Sequence, residues 1–120
     1  MKLIIAFVKP IRLEDVRDAM EGVGVDSFSF AEVRGIGRHK GERDIYRGVE
    51  YAPSYVPMMQ IIVAVKAEVA EDLMTAIAKA AKTDEPGNGK VLACDLTQVV
   101  DVSSGTTGPD AIRHREGRDT

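Results

Sequence analysis

A chain of 120 residues has the length of one domain and buries roughly two thirds of the surface it exposes when unfolded. At 44% hydrophobic and 29% charged it is globular in composition, and a net charge of −3 gives no bulk attraction to nucleic acid or anionic membrane. With no Trp, three Phe and three Tyr, the core must come from Val, Ile, Leu, Ala and Met, and the single Cys94 excludes an internal disulfide.

Residues 2–8, KLIIAFV, are apolar at both parities. Leu3, Ile5 and Phe7 point one way and Ile4, Ala6 and Val8 the other, which predicts a strand buried on both faces. This start has no cleavage-site pattern, and no apolar run nears the roughly 20 residues of a membrane span, so a cytoplasmic protein is expected. Pro10 stops the strand. Leu13, Val16, Met20 and Val23 then recur at helical spacing, with Gly22 and Gly24 ending the helix. Residues 25–35, VDSFSFAEVRG, alternate as a second strand, with Phe28 and Phe30 on one side.

Residues 37–57 are polar and hold all three tyrosines. A third strand begins at Met58 (MMQIIVAVKA). Residues 69–82 predict a second amphipathic helix with Val69, Leu73, Ala76, Ile77 and Ala80 inward. TDEPGNG is a turn cluster, and residues 90–102, KVLACDLTQVVDV, predict a fourth strand. Cys94 shares a face of that strand with Leu92 and Leu96 and is read as a small buried hydrophobe. The polar end of the chain is expected to finish in a flexible tail over 111–120.

The order β-α-β-β-α-β is the α+β, ferredoxin-like split unit, here with a long loop between strands 2 and 3. Both helices cover one face of the sheet. The other face is apolar as well, and an uncovered apolar face is a large sticky patch. Oligomerisation through it is the expected solution.

The segments EVRGIGRHKG and DIYRGVEY, the later GNGKV and the start MKLIIAFVKPIRLEDVRDAMEGVGV together resemble the PII signal-transduction family, in register over residues 1–110. The resemblance implies a homotrimer with nucleotide sites in clefts between subunits. It also implies that residues 37–55 form a T-loop that docks on a target protein, a transporter or a metabolic enzyme. A long loop without structure of its own is uncommon unless it has a job. Tyr51 matches a tyrosine that some members carry modified; its other reading is an exposed contact residue.

TDEPGNGK, read from the residues alone, is either a plain helix-to-strand loop or an anion cradle. Gly87 and Gly89 permit unusual backbone angles, successive N–H groups can face an anion, and Lys90 adds a positive charge. The resemblance favours the cradle and carries over Gly87, Gly89 and Lys90 for phosphate, with Arg38 reaching in from the loop base. Phe7, Gly35, Ile36, Gly37 and Ala64 match the adenosine cleft, and Ser29 stands where threonine is common. Phe7 itself replaces a usual isoleucine. Ser103 and Gly105 lie where the family contacts the nucleotide across the subunit boundary.

Several positions depart from the pattern. Asp101 and Ser103 stand where the family has two phosphate-gripping arginines, and each charge-assisted phosphate contact is worth roughly 1.5–3 kcal/mol. The expectation is therefore ADP or AMP in preference to ATP, unless Arg113, Arg115 or Arg118 folds back to compensate. Met58 replaces the lysine that pairs with 2-oxoglutarate, His39 a glutamine beside it, and Ile62 a glutamate, so the oxo-acid is expected to bind weakly or not at all. A smaller anion such as bicarbonate near Arg38, His39 and Lys90 is the suggested substitute, which links the chain to inorganic-carbon or nitrogen metabolism.

No metal-ligand spacing and no nucleophile–base constellation is visible, so neither a metal site nor an enzyme is expected. The competing readings are a trimeric metal-tolerance or scaffold protein of similar architecture and a small ferredoxin-like enzyme.

Overall fold

The computed structural model describes residues 1–36 and 55–113. Four strands, β1 (Lys2–Val8), β2 (Ser29–Ile36), β3 (Tyr55–Val65) and β4 (Gly89–Asp95), and two helices, α1 (Leu13–Gly22) and α2 (Ala67–Ala81), follow the expected β-α-β-β-α-β order. The strands form one antiparallel sheet in the order β2-β3-β1-β4. This is the ferredoxin-like arrangement.

Strand alternation sorts the sheet into two faces. On one, Ile4, Ala6 and Val8 of β1 lie opposite Val63, Ile61 and Met59 of β3, and all six are buried. Val16 and Met20 of α1 and Leu73 and Ile77 of α2 close over them to form the core. On the other face, Leu3, Ile5 and Phe7 meet Ala64, Ile62 and Gln60 on one side and Cys94, Leu92 and Lys90 on the other. No element of the described chain packs over that second face, and Ile62 and Leu92 remain 36% and 42% exposed. Cys94 is thus exposed in this chain rather than buried, because it lies on the face without helices.

The structure moves four predicted boundaries. β2 starts at Ser29, not Val25, because Gly24 takes a left-handed turn (φ 91°) and tucks Val25 fully into the core at the end of α1. Phe28 packs on the core, whereas Phe30, on the outermost strand, is 55% exposed. β3 starts at Tyr55, so its first turn-proximal residues pair with the end of β2. On α2 the expected Leu73 and Ile77 are buried and the expected Val69 and Ala80 pack partly buried against the core, while Ala70 and Ala81 complete the buried stripe. β4 ends at Asp95, and Ile112, assigned from the sequence to the tail, is buried.

The turn from β1 into α1 is tied to the end of α2. Arg12 donates from Nε and Nη2 to the Ala80 carbonyl at 3.0 and 2.8 Å, satisfying one of the carbonyls that a helix end leaves without a partner. β4 enters the sheet through Gly89, whose φ is 116°. A Cβ there would lie 1.7 Å from the Phe7 carbonyl oxygen, so the entry of β4 demands glycine on both steric and torsional grounds.

Gly89→Ala should therefore lower stability by about 2–4 kcal/mol, measured by urea denaturation at fixed protein concentration. An unchanged midpoint would show that β4 can enter the sheet by another path.

Candidate functional site

The loop from α2 into β4 is held by its two polar ends. Thr83 donates from its N–H to Asn88 Oδ1 at 3.2 Å and from Oγ1 to the same oxygen at 2.5 Å. Asn88 Nδ2 donates back to the Thr83 carbonyl at 3.2 Å, so the side-chain amide pairs with the backbone as a neighbouring strand would. Glu85 N–H donates to Thr83 Oγ1 at 3.2 Å. Within this clasp Gly87 takes a left-handed φ of 76°. The loop is thus fixed while residues 84–87 remain exposed. A cavity of about 360 Å³ opens beside it, lined by Asn88, Gly89 and Lys90 and floored by Met74, Ala78 and Ala81 of α2.

Register gathers the next residues. Phe7 lies opposite Lys90 on one side and Gln60 on the other. Met58 Cε is 3.3 Å from the position of a Cβ on Gly89, so its thioether end fills the space beside the entry of β4. Phe7, Met58, Gly89 and Lys90 therefore form one cluster. Gly35 and Ile36 lie further toward the loop end of the sheet, opposite Val56 and Tyr55. Ala64 and Ser29 do not join them. Ala64 pairs with Leu3, toward the far end of the sheet, and Ser29 pairs with Ile62, midway along it on the outermost strand. Along β3 the four residues from Gln60 to Ala64 span about 13 Å.

Ser103 and Gly105 belong to a small hairpin after β4, closed by the Val100–Thr107 bridge. Asp101 N–H donates to the Thr106 carbonyl at 2.8 Å, and Gly105 N–H donates to the Asp101 carbonyl at 2.8 Å with φ 77° at Gly105. The Asp101 carboxylate accepts the Ser104 N–H at 3.0 Å. That hydrogen bond, followed by smaller contributions including the charge of Arg113, holds the Asp101 carboxyl below its ordinary pKa despite an opposing desolvation effect. The hairpin follows in the chain after β4, which ends at Asp95, and its Val102 is 98% exposed. Gly37, Arg38, His39 and Tyr51 lie outside the described residues.

The family model for nitrogen regulatory protein P-II matches residues 1–106. The chain belongs to the P-II family. This P-II chain is 38% identical over 112 residues to the nitrogen regulatory protein P-II of Rhizobium etli and 35% identical to the nitrogen regulatory protein GlnK of Escherichia coli strain K12; each match covers 93% of this chain and 100% of the relative. Its fold matches a solved structure of B. subtilis GlnK with a TM-score of 0.77, covering 92% of this chain and 97% of that one at 23% identity.

Sequence reasoning singled out the loop glycines and Lys90 but missed Thr83, Asn88 and the contact of Lys9 Nζ with Glu85 Oε1 at 3.4 Å. The only local signal was a Thr and an Asn, both turn formers, bracketing the cluster. Nothing in the spacing tied Lys9 to a loop 76 residues away.

The pH response of the hairpin follows from Asp101. Its folded pKa is depressed, so its contribution is present above the unfolded aspartate value, about 3.9, and is lost as pH falls through the lower folded value. In an NMR titration from neutral to acid pH, the Ser104 amide should shift with a midpoint below that of an unstructured aspartate. A midpoint at or above the unstructured value would contradict the hydrogen bond.

Proposed function

We propose that this P-II chain is a trimeric regulator that binds ADP or AMP in preference to ATP in clefts between copies and acts on a target protein through residues 37–55. The observation that carries the reading is the division of the candidate residues. Phe7, Gly89 and Lys90 cluster at the Val8 end of β1, while Ala64 lies at its other end beside Leu3, Ser29 lies midway along the sheet on the outermost strand, and the Ser103–Gly105 hairpin follows the far end of β4 in the chain. One adenylate meets both sets only if a second copy brings its far end beside the first copy's loop. The exposed apolar face of the sheet supplies the driving force for that association.

Within such a cleft the Thr83–Asn88 clasp presents backbone N–H groups and Lys90 to the phosphates, and Phe7 packs against the adenosine. Gly35, Ile36 and Gly37 border the base, and Arg38 reaches the phosphates from the start of the 37–55 segment. The Asp101 carboxylate, charged and anchored to Ser104 in its own hairpin, disfavours the terminal phosphate of ATP. Beside Gly89, the Met58 thioether offers no charge to a dicarboxylate, so 2-oxoglutarate is excluded. A smaller anion, bicarbonate, takes its place near Arg38, His39 and Lys90. The regulated partner is then a transporter or metabolic enzyme of inorganic-carbon or nitrogen metabolism, and the protein works in the cytoplasm. Ligand moves residues 37–55 by binding one of their arrangements more tightly than another.

Isothermal titration with AMP, ADP and ATP, each with and without bicarbonate or 2-oxoglutarate, tests the reading. ADP and AMP should bind more tightly than ATP, bicarbonate should change the affinity, and 2-oxoglutarate should not. ATP binding more tightly than both others would overturn the proposed selectivity.

A further inference from the structure

The ion pair between Lys9 and Glu85 is unequal. Lys9 is only 20% exposed, whereas Glu85 is 79% exposed, with the two atoms 3.4 Å apart. Lys9 follows directly on Val8, which lies opposite Gly89, and its backbone is extended (φ −69°, ψ 142°). By strand alternation its side chain falls on the face of Phe7 and Lys90, diagonally about 7–8 Å along the ladder from Lys90. Glu85 belongs to the exposed arc of the clasped loop, its N–H fixed on Thr83 Oγ1. A largely covered cation is therefore held beside the glycine loop by a carboxylate that water already solvates.

The two partners face different alternatives. Glu85 can swing into solvent at the small cost of an exposed ion pair. Lys9, fixed at the end of β1 and largely covered, keeps its place and needs another anion. Within the cleft proposed above, and resting on that reading, the anion that arrives is a phosphate group.

We propose that Lys9 is a phosphate-contacting cation of the cleft and that Glu85 occupies it in the ligand-free protein as an internal stand-in for phosphate. Binding then exchanges one carboxylate for one phosphate at the same ammonium group. Glu85 sets the threshold for that exchange, and its release frees the exposed arc of the loop from β1. Adenosine, which has no phosphate, leaves the pair intact.

Calorimetry of ADP and adenosine with the wild type, Glu85→Gln, Lys9→Gln and the double variant tests this. Glu85→Gln should tighten ADP about two- to fivefold. Lys9→Gln should weaken ADP about tenfold or more. Adenosine should change less than twofold in either. In the double variant the gain from Glu85→Gln should vanish, because its benefit is the release of Lys9. If that gain persists without Lys9, Glu85 acts only through the general field and the proposal is wrong; it is equally wrong if neither single variant alters the ratio of ADP to adenosine affinity. A wild type that binds adenosine and ADP equally well overturns the Lys9 contact but keeps the cleft, whereas one that binds no adenylate overturns both. Thermal unfolding of each variant separates a folding defect from a binding one. Lys9→Arg, which keeps the charge, should recover most of the ADP affinity.

Discussion

β1 carries apolar side chains on both faces, and the described residues cover only one of them. Ile4, Ala6 and Val8 are sealed by the two helices, while Leu3, Ile5 and Phe7 face outward beside Ile62 and Leu92. Two helices can shield only one side of a four-stranded sheet, so the second side requires another polypeptide or remains a patch of unusual size for a monomer. That asymmetry gives a reason for copies to associate, and in the proposed assembly residues far apart within one chain would meet at a common boundary between chains.

The candidate site sits where this open face meets the rigid entry of β4. Gly89 lets β4 pass against the Phe7 carbonyl, and the amide of Asn88 fixes the preceding loop on Thr83. The charges are mixed: Lys82, Lys90 and Lys9 are cations at or near the loop, Glu85 answers Lys9, and Asp101 places a charged carboxylate in the hairpin after β4. The proposed preference for an anion of modest charge over a polyphosphate rests on that balance. Met58 extends the same logic, since its thioether takes space beside Gly89 without contributing charge.

Much of the fold was legible because it rests on periodicity. Both-parity apolar runs marked β1 and β3, and the 3.6-residue spacing of Leu13, Val16 and Met20 marked α1. What was lost depended on single backbone turns or on long-range contacts. Val25 looked like the start of a strand, yet the left-handed turn at Gly24 sends it into the core. Cys94 looked buried because strand cysteines usually are, and only the position of the helices shows that its face is open. At the site, the glycines and Lys90 were visible as a motif. The Thr83–Asn88 clasp and the Lys9–Glu85 pair were not, because each is a geometric relation between side chains that local composition does not encode.

The central claim is that the helix-free face of the sheet is an interface between copies. Light scattering on the purified protein, with Leu92→Glu as the comparison, measures this directly. The wild type should have three times the 13.0 kDa mass of the chain, and the charged variant, opposite Ile5 on that face, should fall toward the single-chain mass while keeping its secondary structure. A wild type that runs as a single chain would contradict the account, as would a trimer that tolerates a carboxylate at position 92 without any loss of association.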